Sequence, residues 1–185
     1  MTKAVFLDRD GTINREVDNL RTVSELKILA GASRAIATLN KLGFLVIMIT
    51  NQPVVGRGWI TEKELDAIHA VLIKRLAEKG AVIDAIYYCP HHPKANLRKY
   101  RLQCRCRKPN AGMIKSAVKK YKIDLKKSFV IGDSTRDILA GKRAKMKTIL
   151  VETGYAGNDG SFAVKPDFAA KNLQEAVDII RKHAK

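Results

Sequence analysis

The chain has 185 residues, 35 of them Lys or Arg and 18 Asp or Glu, for a formal net charge of +17. One domain with a sizeable core is expected at this length, and 46% hydrophobic with 29% charged residues excludes a wholly disordered chain. No apolar stretch approaches the roughly 18 residues of a membrane span, and the opening residues meet Asp8 too early for a secretion signal, so the expectation is a cytoplasmic protein with no membrane partner.

Along the chain, short apolar runs alternate with amphipathic ones. Residues 4–7, 44–49, 85–88, 129–131 and 148–151 are nearly continuous in apolar character, as strands covered on both faces should be. Residues 33–42 space Ile36, Leu39 and Leu42 for one helix face, with Gly43 to stop it. Thr61 and Glu64 have capping-box spacing ahead of Leu65, Ile68, Leu72 and Leu76, and Gly80 closes that helix. Residues 111–121, 137–144 and 173–183 are further helical segments. Alternating strands and helices imply right-handed crossovers and a parallel sheet with helices on both faces. The segments 15–28 and 91–108 lack this periodicity and are expected to be elaborated loops.

The charge is unevenly placed. Residues 1–93 carry 12 basic and 10 acidic side chains, residues 94–147 carry 18 and 3, and residues 148–185 five of each. A +15 stretch fits nucleic acid, an anionic surface or a phosphorylated substrate, or is a solvated lysine-rich face. No helix-turn-helix or RNA-recognition signature accompanies it, and the aromatics do not alternate with the basic run as a stacking platform requires. Nucleic acid is therefore the disfavoured partner.

In an open parallel sheet, ligands gather beyond the carboxyl ends of the strands. Those ends read Asp8-Arg-Asp10-Gly-Thr, Thr50-Asn51-Gln52, Cys89 and Gly132-Asp133-Ser134. Carboxylates that close repel one another unless a cation lies between them, and hard oxygen donors favour Mg²⁺. The three cysteines, an odd number with no secretion signal, argue against a disulfide framework. Cys89-Pro-His91 and Cys104-Arg-Cys106 instead form two short pairs suited to a closed tetrahedral zinc site, with His92 the rival to His91.

Phe6-Leu-Asp8-Arg-Asp10-Gly-Thr12, Thr50-Asn51-Gln52, Arg107-Lys108-Pro109 and Gly132-Asp133-x-x-x-Asp137 resemble, in order, the four motifs of the haloacid dehalogenase-like phosphohydrolases. The two cysteine pairs before Arg107 resemble the zinc-containing branch, which includes heptose-bisphosphate and histidinol-phosphate phosphatases. The resemblance implies a single-domain, Rossmann-like three-layer α/β sandwich spanning residues 1–185, with no large cap domain and a zinc-pinned loop within 89–108.

It also implies roles. Asp8 would be the nucleophile and form an aspartyl-phosphate. Asp8, the Asp10 carbonyl and Asp133 would hold catalytic Mg²⁺. Asp10 would act as acid and base, and Thr50 and Asn51 would donate to phosphoryl oxygens. Lys108 would stabilise equatorial charge. Gln52, Arg57 and Arg107 would contact substrate, Arg107 at a second phosphate. Asp137 would orient Lys108 or a metal-bound water. Cys89, His91, Cys104 and Cys106 would hold structural Zn²⁺. The expected partner is a small phosphorylated substrate, foremost a heptose 1,7-bisphosphate, and the expected state is a monomer. Histidinol phosphate hydrolysis and a nucleic-acid-associated phosphatase or binding module are the alternatives. The family's segment after Gln52 is replaced here by Pro53-Val-Val-Gly-Arg57-Gly-Trp59, which alters the expected pocket lip.

Overall fold

A computed structural model describes residues 2–183. Its frame is a six-stranded, all-parallel sheet in the order β3-β2-β1-β4-β5-β6, formed by β1 (Ala4–Leu7), β2 (Leu45–Asn51), β3 (Ala85–Cys89), β4 (Phe129–Gly132), β5 (Lys147–Val151) and β6 (Phe168–Ala170). The helices are α1 (Ala32–Lys41), α2 (Pro53–Gly56), α3 (Glu62–Ala77), α4 (Gly112–Tyr121), α5 (Thr135–Arg143) and α6 (Leu173–His183). Among the described residues, no helix is long and apolar enough to cross a membrane.

The continuous apolar runs are explained by two cores, one on each face of the sheet. Val5 and Leu7 point into a core shared with Ile36, Leu72 and Val177 of α1, α3 and α6. Ala4 and Phe6 point the other way, against Met113, Ala117 and Ala140 of α4 and α5. Side chains alternate across a strand, so a strand covered on both faces must be apolar at every position.

Five strands and five helices lie where the pattern put them, within two residues at each end. Two elements were missed. β6 is three residues long, too short to show a period. Pro53 opens the four-residue α2, whose Val54 and Val55 are buried in the core, while Pro53 and Val54 also line the cleft beside Gln52. The Thr61–Glu64 capping box is present in full.

The order reverses at β1, so crossovers leave it on both sides and a crevice opens beyond the carboxyl ends of β1 and β4. Phe6 lies one strand turn below that crevice with no exposed surface. Phe6→Ala is expected to lower the unfolding free energy by about 3–5 kcal/mol, measurable as a reduced midpoint at unchanged slope in urea titrations.

Candidate active site

Lys108 is the centre of the crevice. Its side chain is 3% exposed, and its Nζ lies 2.8 Å from Asp8 Oδ1 and 2.6 Å from Asp137 Oδ1, and donates to the Ile49 carbonyl at 2.9 Å. Burial works against the ammonium charge, but the two carboxylates outweigh it and raise the lysine's pKa. Asn51 fixes the lysine's backbone on both sides: its Oδ1 accepts from Lys108 N–H and its Nδ2 donates to the Lys108 carbonyl, each at 3.0 Å. This adds a positioning role to the one expected of Asn51. One amide hydrogen and the carbonyl of its side chain are committed to the Lys108 peptide, so Asn51 positions the lysine, and the second amide hydrogen stays available at the cleft.

Asp137 uses its second oxygen to close a capping box at the start of α5, accepting from Ser134 N–H at 3.2 Å and Oγ–H at 2.6 Å. Asp8 follows β1, with its N–H bonded to the Ile131 carbonyl of β4, and its Oδ1 also accepts from Arg9 N–H at 2.6 Å. Asp133 Oδ2 accepts from Tyr155 N–H at 2.7 Å. A β-carbon on Gly11 or on Gly154, both at positive φ, would come within 2.1 Å of that same oxygen. The two glycines thus clasp the carboxylate against backbone, where no side chain fits.

Asp10 is turned onto four donors: Arg9 Nε and Nη2 at 3.0 and 2.8 Å, Asn14 Nδ2 at 2.8 Å, and Gln52 Nε2 at 3.0 Å. Burial alone would raise its pKa, but the Arg9 charge and these hydrogen bonds hold it below the usual carboxylate range. Gln52 Nε2 also donates to Thr50 Oγ1 at 2.9 Å, which leaves the threonine's own proton free to point into the cleft. Gln52, expected at the substrate, is spent on Asp10 and Thr50. Arg9 was missed by the sequence reading although it is fully buried; its Nη1 donates at 3.2 Å to Nε2 of His69, a neutral imidazole pushed down to about 3 by burial and the Arg9 charge.

The cleft carries both signs of charge. Glu16, Asp18 and Asn19 line it together with Arg107 and Arg136. Arg107 donates to the His91 carbonyl at 3.0 Å, and Arg136 pairs with Asp159 at 3.1 Å. Arg136, three residues past Asp133, was not anticipated. Arg57 does not line the cleft floor; it donates at 3.0 Å to Asn19 Oδ1 and lies 4.7 Å from the Trp59 ring. Trp59 is 45% exposed.

Among the described residues, two groups could hold metal. Asp8, Asp133 and Asp137 bring carboxylate oxygens within 4.8 Å of one another. Three carboxylates against the single Lys108 ammonium leave a formal deficit of two positive charges, which a divalent hard cation would cancel. Without a cation, burial and Asp137 push Asp8 up to about 7 against the pull of Lys108, and burial, Asp8 and Asp137 push Asp133 up to about 8. The second group is Cys89, His91, Cys104 and Cys106, again within 4.8 Å, with sulfur separations of 3.0–3.3 Å and no disulfide. His92 stands outside it, its Nδ1 accepting from Lys94 N–H. Cys89 ends β3 opposite Asn51 of β2, and its carbonyl accepts from Gln52 N–H at 2.8 Å.

A family model described as HAD-hydrolase-like matches residues 105–176. The chain is 40% identical over 155 residues, 83% of itself and 84% of the relative, to D-glycero-beta-D-manno-heptose-1,7-bisphosphate 7-phosphatase of Pasteurella multocida. It belongs to the HAD-like hydrolase family. The Escherichia coli K12 protein of the same name is 38% identical over 82% of this chain and 80% of its own. The HAD-like fold extends through the whole chain: D,D-heptose 1,7-bisphosphate phosphatase from B. bronchiseptica, solved with magnesium and phosphate, superposes with a TM-score of 0.87 at 32% identity, covering 99% of this chain and 100% of the other.

The raised carboxylates give this HAD-like site a pH signature. Asp8 and Asp133 titrate well above their unfolded value of 3.8, so between about pH 4 and pH 8 the metal-free folded chain holds more protons than the unfolded one. That contribution to stability is present at acid pH and is lost as pH rises through 7 to 8. A divalent cation needs both groups ionised. Magnesium is therefore expected to raise the melting temperature more at about pH 8 than at about pH 6, and Asp133→Asn to abolish the increment, as read by thermal scans with and without the ion.

Proposed function

We propose that this protein is a Mg²⁺-dependent phosphomonoesterase that removes the 7-phosphate of D-glycero-D-manno-heptose 1,7-bisphosphate. The observation that carries this reading is the convergence of Asp8, Lys108, Asp137 and Asp133 at the sheet's switch point, facing a wall that holds Arg107 and Arg136. The names of the relatives support the substrate class.

The Asp8 carboxylate attacks phosphorus in line, forming a carboxyl-oxygen–phosphorus bond as the bond to the sugar oxygen breaks. Asp10 gives its proton to the departing alkoxide. It is ionised on Arg9 in the free protein and takes up that proton from solvent as the negative charge of the arriving phosphate raises its proton affinity. In the second half Asp10 takes a proton from water, whose oxygen attacks phosphorus and releases Asp8 and inorganic phosphate. Thr50 Oγ–H donates to a phosphoryl oxygen, and Lys108 meets the charge that builds on the equatorial oxygens. Asp8, the Asp10 carbonyl and Asp133 would hold Mg²⁺, which when bound would lower the repulsion between carboxylate and phosphate.

Glu16, Asp18 and Asn19 offer hydrogen-bond acceptors to sugar hydroxyls, while Arg107 takes the second phosphate. Arg136 and Arg57 add positive field to Arg107, whose own charge is opposed by burial and by those two arginines. A second anionic group on the substrate relieves that opposition. The expected result is a higher kcat/KM for heptose 1,7-bisphosphate than for histidinol phosphate, with both anomers assayed, and complete loss of turnover in Asp8→Asn. Equal or reversed preference refutes the substrate assignment, and residual turnover in Asp8→Asn refutes the nucleophile.

Cys89, His91, Cys104 and Cys106 would hold Zn²⁺, which would pin the loop 90–107 and so position Arg107 and Lys108. Arg107 N–H donates to Cys104 Sγ at 3.2 Å, and Asn110 Nδ2 donates to the Cys104 carbonyl at 2.9 Å. Cys104→Ser is expected to lose zinc and most activity together, measured by metal analysis alongside the phosphatase assay. Full activity in zinc-free Cys104→Ser protein refutes the structural role.

A further inference from the structure

The reaction uses little of the chain's positive charge. Of the +15 stretch, only Arg107, Lys108 and Arg136 reach the cleft. The remainder has a definite place. Crossover helices run back against the strands, so α4 and α5 begin beside the cleft and end at the opposite, amino edge of the sheet, where β4 and β5 start. A ten-residue helix spans about 15 Å, beyond the roughly 8 Å over which charge acts at physiological salt. Charges at the far ends of these helices therefore do little to steer substrate.

A hollow runs along α4 from its first turn to that edge. Ile114 and Val118 of α4, Leu125 and Ala144 line a groove of about 370 Å³. Its remaining lining residues are Lys115, Lys119, Arg143 and Lys145, all exposed. Through Leu125 and Lys145 it continues into a second hollow of about 340 Å³ bearing Lys126, Lys142 and Lys147. The one acid of the pair, Asp167, is already paired with Lys142. Lys145 adopts the left-handed conformation, φ 59°, just past the end of α5, a position that favours glycine. A lysine stands there despite its backbone cost.

We propose that this groove docks an acidic amphipathic helix of a partner protein, its apolar face against the half-exposed Val118 and Leu125, which cover the buried Ile114, and its carboxylates on the lysine rim. The concave apolar floor favours this occupant over the alternatives. A nucleic-acid backbone would use the lysines and leave the floor empty, and no aromatic side chain lines either hollow for bases to stack on. A lipid surface calls for protruding apolar groups, not a recess. Basic rim and apolar floor together match a helix with leucines at i, i+3, i+4 and i+7 and glutamates elsewhere.

The test uses the full chain and a fluorescent peptide of about 18 residues, five helical turns, with leucines on one face and glutamates on the other. The controls are the same composition in scrambled order, a single-stranded RNA of equal length, and vesicles of anionic phospholipid. Saturable anisotropy with the amphipathic peptide is expected, weakened about tenfold or more both by Lys119→Glu with Lys145→Glu and, separately, by Val118→Glu. Phosphatase turnover should stay at the wild-type rate in the lysine variant, whose substitutions are both on the surface. Absence of binding, equal binding of the scrambled peptide, or tighter binding of RNA or vesicles overturns the proposal. So does a dimer in sedimentation that the lysine substitutions dissolve, because the groove would then belong to a second copy of this chain.

Discussion

A buried ammonium group organises the functional half of this molecule. Removing Lys108 from water costs several kcal/mol unless its charge is matched, and the match comes from three separate elements: Asp8 after β1, the Ile49 carbonyl within β2, and Asp137 at the head of α5. None of these partners is near Lys108 in sequence. The arrangement exists only once the sheet has assembled with β1 between β2 and β4. The lysine's own segment has no regular structure and is held from outside, by Asn51 on its peptide and by the cysteine group a few residues before it.

What was legible in the sequence follows from this. Strand ends were readable because strands covered on both faces are apolar throughout, so the first polar residues after each run mark the crevice. The cysteine group was readable because two short pairs with ligand spacing need no knowledge of the fold. Asn51 and Gln52 were located at the cleft, but their bonds to Lys108, Asp10 and Thr50 were not foreseen, since a side-chain amide's target depends on which loop lies opposite. Arg9 was invisible for a similar reason. A charged residue between two aspartates reads as solvent-facing until His69, sixty positions on, closes over it. Arg136 and the clasp of Gly11 and Gly154 around Asp133 also depend on segments that meet only in three dimensions.

The structure also divides the charge by purpose. At the carboxyl edge of the sheet, cations and carboxylates are interleaved and nearly all hydrogen-bonded. At the amino edge, lysines surround an apolar recess with a single acid among them. The same two helices, α4 and α5, begin at one edge and end at the other, so catalytic geometry and surface charge are built on shared elements without sharing side chains.

Asp137 links local folding to charge balance. One of its oxygens caps the first turn of α5 and the other neutralises Lys108. Fraying of that turn, ordinarily a small and frequent event at a helix end, would here leave a lysine buried with half its counter-charge. The helix start is thus held by electrostatics from outside the helix, and its opening should be coupled to opening of the crevice as a single cooperative event. A partly unravelled α5 with an intact catalytic centre is not a state this arrangement allows.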